Sequence, residues 1–205
     1  MRFPRSEIRL LLACMAALLI GPLATTAGML PFDREVINRY SLDHLPRSLS
    51  IRQGKDVWLG YDLERGKLYK VWQAPAGKPG LTTAGFVTRS AGTTWFEDRS
   101  SETWQLRREG KAVPLKIRYL GCSQRGGHIE LTWELRHDDG VLKLAERIPT
   151  GAASGAERAV RELRVEALAA GEALLPPLPA REVWKLGGRS AAELTGREWH
   201  RLTLP

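Results

Sequence analysis

The sequence predicts an all-β protein built as an antiparallel β-sandwich, with a closed β-barrel as the alternative. From His128 to Arg136, polar and apolar residues alternate without interruption, which is the period of a strand with one buried face. Asp139-Gly140 then predicts a tight turn with a positive φ, followed by a return strand through residues 142–148. Roughly ten short segments of this kind, separated by Gly, Pro and Asp, fill most of the chain.

Residues 1–27 have the composition of a signal peptide. Arg2, Arg5 and Arg9 precede an apolar run of 11 residues, and small residues follow at the positions that a signal peptidase reads. The run is too short to cross a bilayer, so cleavage is the main expectation and an uncleaved membrane anchor is the alternative. We therefore expect a periplasmic or secreted protein, with no stable membrane span after the signal is removed.

Residues 28–47 are interpreted as an N-terminal arm. Residues 33–40 suit two helical turns capped by Asp33, and residues 41–47 suit an extended chain. No low-complexity linker separates this arm from the following segment. We expect the arm, helical or extended, to dock on a single β-sandwich domain of residues 48–205.

The first half of this domain contains six predicted strands. They cover residues 48–51, 57–62, 67–72, 93–96, 103–107 and 115–120. Alternation along the third strand places Leu68, Lys70 and Trp72 on one face and Tyr69 and Val71 on the other. Each strand is short, as is usual in a sandwich.

Several segments between and after these strands are less regular. Residues 74–92, rich in Ala, Pro, Gly and Thr, are interpreted as a long surface loop and a good place for a site. Residues 157–169 fit both a helix and a strand, and the strand is favoured because it matches its surroundings. Residues 174–179 are expected to be an extended crossing. Residues 182–186 and 197–204 are expected to form a last strand pair.

The charge and the cysteine content limit the classes of partner that the chain is expected to have. The formal net charge is +8; residues 1–27 carry three Arg and one Glu, so about +6 remains after their removal. The cations are interleaved with Glu along predicted strands, which indicates a solvated surface with a bias toward acidic partners such as anionic glycans or membrane surfaces. Because the chain is expected to be exported, nucleic acid is not expected as a partner. Cys122, alone once the signal is removed, excludes an internal disulfide.

The sequence contains no catalytic or cofactor signature. The Gly-x-Ser-x-Gly nucleophile motif and the Cys-x-x-Cys-His haem-attachment motif are both absent. The four histidines are dispersed, and none belongs to a metal-ligand pair. Glu130 and Glu134 lie about 13 Å apart along one strand, too far for a glycosidase pair. We therefore expect no catalytic residue, no metal and no cofactor.

The seven tryptophans give the strongest indication of function. Flat indole rings can stack on the apolar faces of sugars. Trp133 shares its strand face with apolar residues and is expected in the core. Trp58 and Trp72 are either core residues or ligand platforms, with the core favoured. Trp95 and Trp104, which flank the Gly- and Pro-rich segment, are expected to be exposed.

Residues 46–168 resemble a β-sandwich module of large exported bacterial proteins. The resemblance is carried by an extended Pro-Arg start at 46–51, a strand ending in Tyr-Asp at 57–62, and a strand ending in Trp at 68–72. The segments 117–119 and 146–149 are also similar. In those proteins the module accompanies c-type cytochrome and sugar-dehydrogenase-like domains. This chain has no cytochrome domain, so the resemblance implies that any redox function belongs to a partner.

Three functions follow as hypotheses. The leading one is an exported, non-catalytic binding or accessory module that partners a periplasmic c-type cytochrome or dehydrogenase, with Tyr61, Asp62 and Trp72 at the interface. The second is a carbohydrate-binding module that uses exposed aromatic residues. The third is an enzyme with a carboxylate or His site assembled in space. The candidate ligand- or partner-binding residues are Trp58, Tyr61, Asp62, Trp72, Trp95 and Trp104.

Overall fold

The computed structural model describes residues 36–84 and 87–205, so the predicted signal peptide and the start of the arm lie outside the described residues. In chain order the first strands are β1 (Ile37–Asn38), β2 (Ser41–Leu42), β3 (Ser48–Gln53), β4 (Val57–Asp62), β5 (Lys67–Gln73), β6 (Leu81–Ala84), β7 (Val87–Ser90), β8 (Thr93–Glu97) and β9 (Gln105–Arg108). The remaining elements are β10 (Lys111–Pro114), β11 (Lys116–Arg125), β12 (His128–His137), β13 (Gly140–Pro149), β14 (Ala159–Glu166), β15 (Ala173–Leu175), the helix α1 (Leu178–Val183), β16 (Lys185–Leu186), β17 (Arg189–Ser190) and β18 (His200–Leu204).

Two open sheets form the sandwich. The five-stranded sheet has the order β1-β3-β4-β5-β8, and the seven-stranded sheet has the order β11-β12-β13-β14-β18-β16-β17. Neighbouring strands in both sheets are antiparallel. Since neither sheet closes on itself, the predicted antiparallel sandwich is confirmed and the barrel alternative is wrong.

The long hairpin β12–β13 is the centre of the seven-stranded sheet. Its register runs without a shift from His128 opposite Pro149 to His137 opposite Gly140. The hairpin lies where the alternation predicted it, but its turn differs from the prediction. The two loop residues are Asp138 and Asp139, and Gly140 does not adopt a left-handed φ because it already pairs as the first residue of β13.

The main core fills the space between the two sheets. Its buried side chains include Ile51, Leu59 and Val71 from the five-stranded sheet and Trp133 and Leu144 from the seven-stranded sheet. A three-stranded sheet, β10-β9-β15, closes one part of this core. Burial of apolar surface on both inner faces is the main source of stability in such a sandwich.

A second, smaller core lies on the other face of the five-stranded sheet. There Trp58, Tyr69 and Trp72 pack with Leu42 and Ala74. A three-stranded sheet in the order β2-β7-β6, which we call the cover sheet, supplies Leu42 and Leu81 to this cluster. The expectation of a surface loop over residues 74–92 is therefore wrong for β6 and β7, which pair as a hairpin because they cover buried tryptophans.

The other irregular segments match the prediction only in part. Residues 159–166 form a strand, as favoured, and β18 forms the expected last strand. The crossing expected at 174–179 and the strand expected at 182–186 are interrupted by α1, whose first turn accommodates Pro179 because that turn needs no backbone N–H from it. Lys185 and Leu186 still pair with β18, so the expected last strand pair forms in part. In the arm, Ile37–Asn38 pairs as a strand with β3, so the helix expected over residues 33–40 does not form in its described part.

Candidate functional site

Five of the six predicted binding residues offer a ligand almost no surface. Trp58 is 7% exposed, Tyr61 0%, Asp62 3%, Trp72 0% and Trp104 1%. The expected exposure of Trp104 is wrong, because its ring packs in the main core and its indole N–H donates to the carbonyl oxygen of Gly66 at 2.7 Å. These residues stabilise the fold in place of forming a binding platform.

Trp58 and Trp72 form a stacked pair beneath the cover sheet. Their ring centroids are 6.1 Å apart and their planes differ by 12°. The indole N–H of Trp72 donates to the carbonyl oxygen of Gly80 at 2.7 Å. A Cβ at Gly80 would collide with the ring of Trp58, so this glycine lets the chain pass directly over the pair. The core interpretation of both tryptophans is confirmed.

Tyr61 belongs to a buried polar group between the two sheets. Its hydroxyl donates to Glu146 Oε1 at 2.6 Å, and Arg161 Nη1 lies 3.3 Å from the same oxygen. The guanidinium of Arg161 in turn lies 4.7 Å from the ring centroid of Trp184. Burial raises the pKa of Glu146, although Arg161 and the Tyr61 hydroxyl both act to lower it. Because the group is closed to solvent, it links the sheets and has no access to a ligand.

Asp62 has a local structural role at the end of β4. Its Oδ1 accepts hydrogen bonds from the backbone N–H groups of Glu64 and Arg65, at 2.9 and 3.1 Å. Its Oδ2 lies 2.7 Å from the guanidinium of Arg65. The carboxylate therefore fixes the β4–β5 turn, which is the common use of Asp at this position.

A bulge in β5 aims two polar side chains at the outer face of the five-stranded sheet. The register shifts between Gly60 and Tyr61, so Tyr69 has no single partner and points to the same side as Lys70. The alternation expected along this strand is therefore wrong at Tyr69 and at Leu68, which packs in the main core with Val71. The hydroxyl of Tyr69 donates to Glu97 Oε1 at 2.8 Å, and Lys70 Nζ lies 3.3 Å from Asp43 Oδ2.

A polar pocket of about 190 Å³ lies beside this bulge, with Tyr69 and Asp43 among its lining residues. Asp43 and His44 at its rim have φ values of 48° and 77°, a strained conformation for residues other than glycine. Burial opposes the ionised form of Asp43, but hydrogen bonds from Ser90 and the charge of Lys70 outweigh it and lower the pKa. On the floor, Lys67 Nζ lies 2.8 Å from Asp98 Oδ2. The buried charges that line this pocket are thus already neutralised by one another.

Trp95 is the predicted binding residue that keeps an accessible ring. Val71 pairs with Phe96 and Trp72 with Thr94, so Trp95 is the extra residue of a bulge in the edge strand β8. The bulge turns Trp95 and Phe96 to the same side, where both pack against the main core. Phe96 is buried there, whereas Trp95 is only partly buried.

Trp95 lines a cleft of about 350 Å³, which we call the Trp95 cleft. Its other walls are the β3–β4 turn, the end of β5 and the loop of residues 152–158, and the lining residues are Gln53, Lys55, Asp56, Val57, Gln73, Trp95, Ala152, Ala153, Gly155, Ala156, Glu157 and Arg158. Gln53 holds the loop in place, because its side-chain amide bonds to the backbone of Val160 and Pro149. Gly54 donates to the carbonyl oxygen of Thr150 at 2.8 Å. The cleft therefore has a fixed frame.

The charges at the Trp95 cleft differ in their availability. Glu157 is held by Arg201 through two bonds of 2.7 and 2.8 Å. By contrast, Lys55 and Arg158 are exposed and form no ion pair with any residue of the described part of the chain. The guanidinium of Arg158 lies 5.4 Å from the ring centroid of Trp95. A cation–π contact at an exposed site contributes only about 0.5–1 kcal/mol, so this guanidinium can move at small cost.

Another partly exposed tryptophan lies on the outer face of the seven-stranded sheet. Arg147 and Arg164 place their guanidinium groups 4.0 and 4.7 Å from the ring centroid of Trp199. Both arginines also bind carboxylates of the same sheet, Glu130 at 2.9 Å and Glu166 at 3.0 Å. Trp199 is therefore partly buried with guanidinium groups over its ring, as Trp95 is, and Trp95 in addition lines a cleft.

Within residues 36–84 and 87–205, no group of three or more His, Cys, Asp or Glu side chains is arranged to hold a metal ion. No helix in the same ranges has the length and apolar character needed to span a membrane.

Sequence reasoning identified Trp95 but missed the residues around it. Arg158 lies just before β14, in the segment that was expected to be a strand, and it reaches Trp95 only through tertiary structure. Glu146 and Asp43 were missed for the same reason, since their partners Tyr61 and Lys70 lie 85 and 27 residues away. One local signal was present: Glu146 lies on the same strand face as Leu144 and Ile148, where a charged residue requires a buried partner.

Comparisons with known proteins add no family to these observations. No family model, no curated protein and no solved structure matches the chain. The resemblance of residues 46–168 to a module beside cytochrome and dehydrogenase domains therefore stays a prediction.

Proposed function

We propose that the chain is an exported, non-catalytic binding module and that the Trp95 cleft is its carbohydrate site. Export rests on the signal-peptide composition of residues 1–27. The site rests on one observation: Trp95 is the predicted platform residue whose ring remains accessible, and it lies in a cleft. The other predicted platforms are buried.

The chemistry of the Trp95 cleft suits a sugar. The indole face provides a flat apolar surface for the C–H groups of a pyranose ring. Around it, Gln73, Asp56 and Lys55 provide an amide, a carboxylate and an ammonium group for hydroxyls. The volume of about 350 Å³ falls in the range of small-molecule sites, about 300–1,000 Å³. A mono- or disaccharide unit is the ligand that these dimensions favour.

The proposal is tested by affinity electrophoresis of residues 28–205 in gels that contain a panel of neutral and acidic polysaccharides. We expect retardation by at least one polysaccharide, and Trp95→Ala should remove it because the stacking surface is lost. Trp199→Ala is the matched control, since it removes an equally large ring from another sheet and should leave the retardation unchanged. If Trp95→Ala is retarded as strongly as the parent protein, the cleft is not the site.

A second candidate is the accessory role beside a periplasmic c-type cytochrome or dehydrogenase. The outer face of the seven-stranded sheet favours it, because Arg147, Arg164 and Trp199 form a surface of arginine and aromatic groups, the residue types that are enriched at protein interfaces. The buried Tyr61, Asp62 and Trp72 cannot supply this interface without unfolding. Capture of the tagged protein from its own periplasm, followed by haem staining, should show a stoichiometric haem protein that Arg147→Glu displaces. Purification of the tagged protein alone would contradict this role.

A further inference from the structure

We propose that the Trp95 cleft selects acidic sugars, and that Arg158 recognises the carboxylate of a hexuronate stacked on Trp95. This inference rests on the proposed carbohydrate-binding function and names the ligand class of the same site. The supporting observations are the availability of charge in the cleft, the position of Arg158 relative to the indole ring, and the net charge of the chain.

The cleft presents more available positive than negative charge. Lys55 and Arg158 have no ion-pair partner among residues 36–84 and 87–205, whereas the carboxylate of Glu157 is already bound at both oxygens by Arg201. Asp56 is the remaining carboxylate of the lining, and it lies next to Lys55 in the β3–β4 turn. An acidic ligand would therefore meet one opposing carboxylate and two cations that are free to bind it.

Arg158 is anchored beside the ring on which a sugar would stack. Its backbone N–H donates to the carbonyl oxygen of Leu204 at 2.7 Å, which anchors the residue at the start of β14. Its exposed side chain extends to the indole of Trp95, with 5.4 Å between the guanidinium carbon and the ring centroid. A sugar ring that stacks on Trp95 must take the place of this guanidinium. The displaced group then lies at the edge of the sugar, where a guanidinium can bind a carboxylate through two parallel hydrogen bonds.

The charge of the whole chain agrees with this ligand class. Without residues 1–27 the net charge is about +6, which raises the local concentration of an acidic polysaccharide around the protein. This long-range attraction gives no selectivity for one site, and salt weakens it. Selectivity must come from Arg158, which makes it the residue to change.

The test measures binding of oligogalacturonate and oligomannuronate, and of their neutral methyl esters, by isothermal titration calorimetry at 150 mM salt. We expect at least one acid to bind about ten- to hundredfold more tightly than its ester, the range for a hydrogen bond to a charged group. Arg158→Gln should remove this preference, so that the ratio of the affinities for acid and ester falls to about one. Arg164→Gln, which lowers the net charge equally but lies on the outer face of the seven-stranded sheet, should keep the preference.

Each other outcome has a definite meaning. Equal affinity for acid and ester, or an acid preference that survives Arg158→Gln, overturns the role of Arg158. Absence of binding by either acid, together with retention of a neutral polysaccharide that Trp95→Ala abolishes, overturns the acidic class and leaves the carbohydrate site standing. Absence of binding to every carbohydrate tested overturns both proposals. Thermal unfolding of each variant confirms that it is folded.

Discussion

At the level of single residues, the buried carboxylate of Glu146 has the clearest consequence for stability. Its Oε1 is shared by the hydroxyl of Tyr61 and the guanidinium of Arg161 within a core that excludes water. Removal of one partner from such a group leaves another polar group buried and unpaired, which typically costs more than the hydrogen bond itself. The three residues therefore act as one unit.

We predict that the stability of the parent protein falls relative to Glu146→Gln as the pH rises. Burial raises the pKa of Glu146 in the folded state above the value of about 4.3 in an unfolded chain. The folded protein then binds a proton that the unfolded chain releases, so this contribution is fully present below about pH 4.3 and is lost as the pH rises through the raised pKa. Each unit by which the pKa is raised changes the free energy of unfolding by about 1.4 kcal/mol.

The measurement is urea unfolding of both proteins between pH 4 and pH 8. Tyr61→Phe provides a second variant, because loss of its hydroxyl donor removes an interaction that lowers the pKa of Glu146. This variant should show a steeper loss of stability with rising pH than the parent protein. If the parent protein instead became more stable relative to Glu146→Gln as the pH rises, the prediction would be wrong. That result would show that Arg161 outweighs burial and that the pKa of Glu146 is lowered.

At the level of elements, the cover sheet depends on a close approach between Gly80 and the tryptophan pair. Gly80→Ala places a Cβ against the indole of Trp58 and displaces the carbonyl oxygen to which Trp72 donates. We predict destabilisation of about 1–3 kcal/mol, the usual cost of overpacking a core. Gly151→Ala is the control, since its Cβ would meet open space. A melting temperature for Gly80→Ala equal to that of Gly151→Ala would contradict the close packing.

The strands could be predicted from the sequence because alternation is a local property. The hairpin β12–β13 follows nine alternating residues, and its strands lie where the pattern placed them. The bulges at Tyr69 and Trp95 could not be predicted in this way. A bulge depends on how two strands pair, and each one reverses the faces expected for the residues beside it. Both bulges lie next to a pocket, so the side-chain faces beside these two pockets could not be predicted from the alternation.

At the level of the whole molecule, the five-stranded sheet is buried on both faces. The seven-stranded sheet covers one face, and the cover sheet covers the other. The sequence predicted the sandwich but not the layer that covers Trp58 and Trp72, because the composition of residues 74–92 is typical of a loop. Two short strands of that segment, stabilised by tertiary contacts with the tryptophans, supply the missing layer.

This layering explains why few tryptophans remain for ligands. The two cores bury five of the seven tryptophans, namely Trp58, Trp72, Trp104, Trp133 and Trp184. The two partly buried tryptophans are Trp199, which contacts two arginines, and Trp95, which contacts Arg158 and lines the cleft at the edge of the sandwich. The proposed binding function of the aromatic residues is therefore assigned to the Trp95 cleft, which lies between the edge strand β8 and the loop before β14.

The most direct test of the carbohydrate site is an NMR titration of ¹⁵N-labelled residues 28–205 with oligosaccharides, observed at the seven indole N–H groups. The Trp95 cleft predicts that the indole signal of Trp95 shifts most and saturates with the bound sugar, while that of Trp199 stays in place. A saturable shift at Trp199 with Trp95 unchanged would move the site to the outer face of the seven-stranded sheet. Indole signals that do not respond to any oligosaccharide would contradict carbohydrate binding altogether.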